Sequence, residues 1–216
     1  YTMKPTIYAL TMFALAACTS PQEEAIDRHA LVTRNNPEVT AMDSLSSLSV
    51  GNGEFAYTVD ATGLQTFPEV YKNEVPLGTQ SQWGWHSFGN PENYKPEEAL
   101  VEYDFSHGHK ELYATQPKEP GRAKEASDWY RVNPHRLHLG IIGLELENEV
   151  RPSDVQNIQQ SLDMWNGIIN SRFTLKETPY HIQTVCHPER DMIAARLSAR
   201  QPAGLQYHFH YPTGGH

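Results

Sequence analysis

Residues Gln80–Phe88 hold the densest set of groups that could do recognition chemistry. Trp83 and Trp85 flank a single glycine, and Gln82 and His86 stand beside them. Sugars offer flat C–H faces to aromatic rings and hydroxyls to amide and imidazole groups, so Gln82, Trp83, Trp85 and His86 form a candidate carbohydrate-binding loop. The competing reading is that the rings pack this segment onto the rest of the fold.

Other constellations are weaker. Glycosidases need two acids about 5–10 Å apart across the bond. Glu145 and Glu147 alternate with Leu144 and Leu146, as on the wet face of a strand; Asp60 and Asp104 are isolated acids, and no catalytic pair is assigned. His107 with His109, and His208 with His210, would each put two imidazoles on one side if extended; His135 and His138 lie close, and His216 is terminal. Zinc requires three or four convergent ligands, which no spacing here supplies, so no metal is expected. Gly51-Asn52-Gly53 lacks the Lys and the following helix of a phosphate loop, no Gly-x-Ser-x-Gly occurs, and no cofactor is implied. Cys186 lies in a strand-like run beside His187; adjacent strand residues face opposite ways, so a packed thiol is expected there, not a Cys–His nucleophile.

The elements that must position these groups read as strands. Phe55, Tyr57 and Val59 alternate, with Gly51-Asn52-Gly53 as the preceding turn. Residues 136–146, 158–162, 167–175, 180–185, 192–197 and 205–210 repeat the pattern, separated by turn signals. That spacing predicts a mainly β chain folded as an antiparallel β-sandwich. Between about 64 and 135, Pro68, Pro76, Pro91, Pro96, Pro117, Pro120 and Pro134 predict a long irregular insert carrying Trp83, Trp85 and Trp129. The one expected helix is Pro96–Val101, with proline first and acids in its first turn. In a chain of 216 residues, 17 basic against 26 acidic side chains leave a net charge of −9, which argues against a nucleic-acid partner.

The N-terminal stretch reads as a processing signal. Lys4 supplies a positive start, residues 7–17 form an apolar run too short to span a bilayer comfortably, and Leu15-Ala16-Ala17-Cys18 ends it. Small residues before a cysteine resemble the lipobox of bacterial lipoproteins, in which the thiol is lipidated. The expectation is therefore a signal peptide over 1–17, lipidation at Cys18, a tether over 18–28 and a sandwich domain over 29–216. The product would be an exported lipoprotein held at a membrane, the outer membrane above all, facing periplasm or surface. Glycines and a histidine after a strand-like run end the chain on a turn, and it reads as the front piece of a longer protein.

Two blocks carry a resemblance. Ser47–Tyr57, with its Gly-Asn-Gly, is similar to the opening of large carbohydrate enzymes built from an N-terminal β-sandwich and an (α/α)6 barrel. Ser161–Phe173, followed by His187–Arg196, resembles their paired strands. The group is glycoside hydrolase family 65 and, more broadly, the six-hairpin glycosidases. The resemblance implies a non-catalytic sandwich supporting a barrel that this chain lacks, a catalytic domain of its own as partner, and an oligosaccharide or polysaccharide as substrate. The alternative is a stand-alone surface glycan-binding lipoprotein.

Overall fold

A computed structural model describes residues 26–146 and 150–200, with the backbone alone for Gly204–His208. Cys18, Glu147, His210 and His216, and the side chain of His208, lie outside the described residues. The chain divides into two units between Asn35 and Asn36. In the first, helix α1 (Arg28–Thr33) is capped by Asp27, whose carboxylate accepts from the Ala30 amide at 3.0 Å.

The second unit opens with strands β1 (Glu38–Val39), β2 (Leu48–Gly51) and β3 (Phe55–Val59). The short helix α2 (Pro68–Tyr71) and strands β4 (Thr79–Ser81), β5 (Trp85–His86), β6 (Leu100–Asp104) and β7 (Lys110–Ala114) follow. Then come helix α3 (Arg122–Val132), β8 (His135–Arg136), β9 (Ile141–Glu145), β10 (Val155–Asp163), β11 (Ile168–Leu175), β12 (Thr178–Cys186), β13 (Ile193–Ala199) and β14 (Gly204–His208).

The architecture is mainly β and antiparallel, a sandwich. One layer is a five-stranded sheet in the order β1-β10-β11-β12-β13; the other combines β2-β3-β4 with the β9–β14 pair. Period-two alternation explains the layers. Phe55, Tyr57 and Val59 of β3 point inward, as the sequence pattern requires, and join Val39, Leu48, Val50 and Ile169 in one apolar cluster. Leu64, Leu144, Ile158, Phe173, Tyr180 and Ile182 form the other. Between the strands, Asp163 accepts from the amides of Trp165 and Asn166, and Gly167 follows at φ 68°, so a side-chain-closed turn joins β10 to β11.

A polar seam runs through this interior. Asp60 is fully buried; its carboxylate accepts from the Thr62 amide at 2.7 Å, the Thr62 hydroxyl at 2.5 Å and the Phe67 amide at 2.7 Å. The loop so folded reaches both layers. The Gly63 carbonyl accepts from Thr184 at 2.6 Å, the Asp60 carbonyl from Gln160 at 2.8 Å, and the Gln65 side chain joins Thr58 to Ile142. Gly63 has φ +85°, and a Cβ there would lie 2.6 Å from Ser171 Oγ.

Three expectations change. The helix expected over Pro96–Val101 is only one 3-10 turn, Pro96–Ala99; Leu100 onward extends because Val101 pairs with Tyr113 and Tyr103 with Glu111 across β6–β7. The eleven-residue helix α3 inside the insert was not anticipated, because its buried face is small, holding Ala126 and Ser127. The long strand expected over 136–146 is divided at Gly140. Before it, Leu137 and Leu139 amides donate to Gly84 and Thr79 carbonyls; after it, β9 pairs with β14.

Gly63→Ala combines a positive φ with a steric overlap against Ser171, so a loss of more than about 2 kcal/mol in urea unfolding is expected. A loss below about 0.5 kcal/mol would show that the loop is not wedged between the layers. Burial pushes the Asp60 carboxyl up to about 6 against the hydrogen bonds that favour its charge. The folded state therefore holds a proton that the unfolded state releases near the ordinary value of about 4, and stability falls as pH rises from 4 to 6. Relative to Asp60→Asn, which does not titrate, the wild type gains on the order of 3 kcal/mol on going from pH 7 to pH 4. Parallel pH curves for the two proteins would refute this.

Candidate functional site

Three turns meet at one end of the sandwich. In the β2–β3 turn, Asn52 Oδ1 accepts from the Glu54 and Phe55 amides at 3.0 and 2.8 Å. Its Nδ2 donates to the carbonyls of His187 at 3.4 Å and Arg190 at 3.1 Å in the β12–β13 turn. That second turn presents Asp191. Its Oδ2 accepts from Ser81 Oγ at 2.5 Å and from Trp83 Nε1 at 2.7 Å. The hydrogen bond from Ser81, then that from Trp83, hold the Asp191 carboxyl below the usual carboxylate range.

The tryptophan loop is thus pinned from two sides. Gln82 donates its backbone N–H to the Glu54 carbonyl at 2.8 Å, and its side chain is exposed. Trp83 is 67% and Trp85 50% exposed. Trp85 pairs with Arg136 across β5–β8, and the guanidinium lies 4.9 Å from the centre of its ring. His86, exposed, makes an edge contact with His135 at 5.2 Å. A hollow of about 290 Å³ adjoins Arg136, with Ser49, Glu54 and Gln80 among its polar walls. The loop therefore offers two indole faces and, beside Trp85, donors and acceptors for hydroxyls.

Other singled-out residues separate from this site. Trp129 of α3 packs against Tyr130 at 4.8 Å and Tyr94 at 6.2 Å, a packing role within the insert. Asp60 is sealed in the core. Glu145 is exposed on β9, and Asp104 accepts from the Ser106 amide at 2.9 Å at the β6–β7 turn. His107 and His109 are not on one side of a strand: Ser106, His107 and Gly108 take positive φ and form that turn. His138 instead contacts the Leu77 carbonyl at 3.2 Å and accepts from the Gly140 amide at 3.1 Å. Among the described residues no three His, Cys, Asp or Glu side chains converge as metal ligands would. Cys186 is half-buried, and burial first, then Asp191, pushes its thiol up, which leaves it a poor nucleophile.

Asn52 and Asp191 were missed as site residues from sequence, although both sit in the blocks that carry the family resemblance. Nothing in their spacing shows that residues 139 positions apart build one corner. No protein-family model matches the chain, and no curated protein matches its sequence. No helix among the described residues is long and apolar enough to cross a membrane.

Asp191→Ala removes the acceptor that fixes the Trp83 indole. Tryptophan fluorescence should then become more quenchable by acrylamide while the far-ultraviolet circular dichroism stays the same. Because the Asp191 carboxyl is depressed, its charge-dependent hold persists above about pH 4 and is lost only as pH falls below it. Unchanged quenching in the variant at pH 7 would mean that the loop is held by its backbone alone.

Proposed function

We propose that this chain is the non-catalytic N-terminal β-sandwich portion of a carbohydrate-active enzyme of the glycoside hydrolase family 65 and six-hairpin kind, and that its Trp83–Trp85 loop contacts glycan. The observation that carries the reading is the pair of exposed indoles held in place by charged neighbours. Large aromatic surface left in water forgoes the gain of burial, about 25 cal/mol per Å². Here it is also immobilised, by Asp191 for Trp83 and by Arg136 for Trp85. Rigid aromatic faces lose little entropy when a ligand stacks on them. Glu54, Gln80, Ser49 and Arg136 then supply hydrogen bonds for ring hydroxyls around the adjoining hollow.

In this reading the chemistry belongs to a catalytic domain that the sandwich supports, and acylated Cys18 tethers the protein to a membrane. The sandwich contributes substrate contact.

Isothermal titration with soluble gluco-, xylo- and manno-oligosaccharides tests the reading. At least one class is expected to bind, and Trp83→Ala and Trp85→Ala should each weaken it about tenfold or more, as buried aromatic anchors do. The chain should release no reducing sugar from the same ligands. Absence of binding across the panel, or affinity indifferent to both substitutions, overturns the glycan contact; turnover by this chain overturns the non-catalytic assignment.

A further inference from the structure

The short ribbon β5–β8 brings two histidines together. Strand register sets His86 against His135, beside the Trp85–Arg136 pair. Alternation puts the two pairs on opposite faces of the ribbon. The guanidinium that covers Trp85 therefore lies on the other side from the imidazoles. The ring centres of His86 and His135 are 5.2 Å apart. Phe88 closes one flank, 5.9 Å from His86 and 6.1 Å from His135.

More than two residues of strand hold this spacing. Asn133 Oδ1 accepts from the Phe88 amide at 3.1 Å, and Asn133 Nδ2 donates to the Phe88 carbonyl at 2.9 Å. These bonds clamp the segment after β5 to the segment before β8. Asn133 is buried, so water does not compete for them.

The chemistry of His135 is one-sided. Its Nδ1 lies 3.0 Å from the Val132 carbonyl. A carbonyl only accepts, so Nδ1 carries the proton, and in the neutral ring Nε2 presents a lone pair. That Nε2 is shut off from solvent and has no hydrogen-bond partner among the described residues. A buried acceptor without a donor is costly and calls for a ligand. His86, across from it, is exposed, and no hydrogen bond to the described residues fixes its ring. Rotamer changes can therefore turn one of its nitrogens toward the same point.

A metal-bound histidine has the arrangement of His135: one ring nitrogen binds the ion and the other donates to a backbone carbonyl. Two imidazoles bound to one ion at about 2.0–2.1 Å, in near-tetrahedral geometry, have centres roughly 5 Å apart, as His86 and His135 do. A bridging water fits less well, because it wants two to four polar partners and Phe88 supplies none. Magnesium and calcium take oxygen ligands, whereas imidazole suits zinc and copper. We propose that His86 and His135 bind one divalent transition-metal ion, zinc or copper, through one ring nitrogen each. Water fills the remaining positions. With two protein ligands the ion is exchangeable, unlike a structural zinc, which takes four. The inference is independent of the glycan-binding reading.

The test uses the full chain after dialysis against EDTA. Isothermal titration with copper(II), zinc and magnesium sulfates should show one site for copper, zinc or both, and none of comparable affinity for magnesium. The first two arms tell which ion the site prefers. His86→Ala and His135→Ala should each weaken binding about tenfold or more, since losing a ligand costs at least what losing its hydrogen-bonded support does. The double variant His107→Ala/His109→Ala should leave binding unchanged. The electron paramagnetic resonance spectrum of the copper-loaded chain should carry splitting from two imidazole nitrogens, and from one in His86→Ala. Because His86 is exposed, that variant should keep its melting temperature and decides the matter even if His135→Ala fails to fold. Absence of copper and zinc binding, affinity indifferent to His86→Ala, or loss of binding in His107→Ala/His109→Ala overturns the proposal. If oligosaccharide still binds a chain that takes no metal, the earlier reading stands and only this one falls.

Discussion

A carboxylate in the middle of the sandwich governs the rest of the structure. Asp60 has no exposure, and burial of a charge is costly unless hydrogen bonds compensate it. The compensation comes from Thr62 and Phe67, so the chain after β3 must curl back around the acid. That curl brings the Gly63 carbonyl to Thr184 and places Gln65 against Thr58 and Ile142. The two layers are thus joined by directed bonds between two apolar clusters. Apolar contact alone would let the sheets slide; the seam fixes their registration.

Fixed registration matters at the end of the sandwich. The β2–β3 turn belongs to one layer and the β12–β13 turn to the other, and Asn52 bonds across them. Asp191 then reaches Ser81 and Trp83 of the β4–β5 segment. A shift of one layer by one residue would move Asp191 by about 3.3 Å and break both bonds. The orientation of Trp83 is therefore coupled, through two turns, to the same seam that holds the core. The His86–His135 pair depends on the seam less, because its register is set within the β5–β8 ribbon.

Much of the strand framework was legible because alternation is local. Phe55, Tyr57 and Val59 declare a buried face with no help from the rest of the chain, and so do the strands from Val155 to Ala199. The Gly-Asn-Gly turn and the Asp163–Gly167 turn were legible for the same reason, since side-chain chemistry closes them within a few residues. Helix α3 was not, because its periodicity rests on Ala126 and two aromatics that pack only when the insert folds over them. The division of residues 136–146 was hidden too: the backbone changes partners at Gly140, and partners are not written in a strand's own pattern.

Sequence by itself determined the class of fold, the inward and outward faces of the long strands, and the prominence of Trp83 and Trp85. These follow from the two-residue period of extended chain and from the small number of residues that suit tight turns. Tertiary structure alone decided that Asp60 is a buried anchor, that Asn52 and Asp191 support the tryptophan loop, and that His86 and His135 stand opposite each other. Each of those facts is a contact or register between segments far apart in the chain, and one-dimensional order does not contain the distance between them.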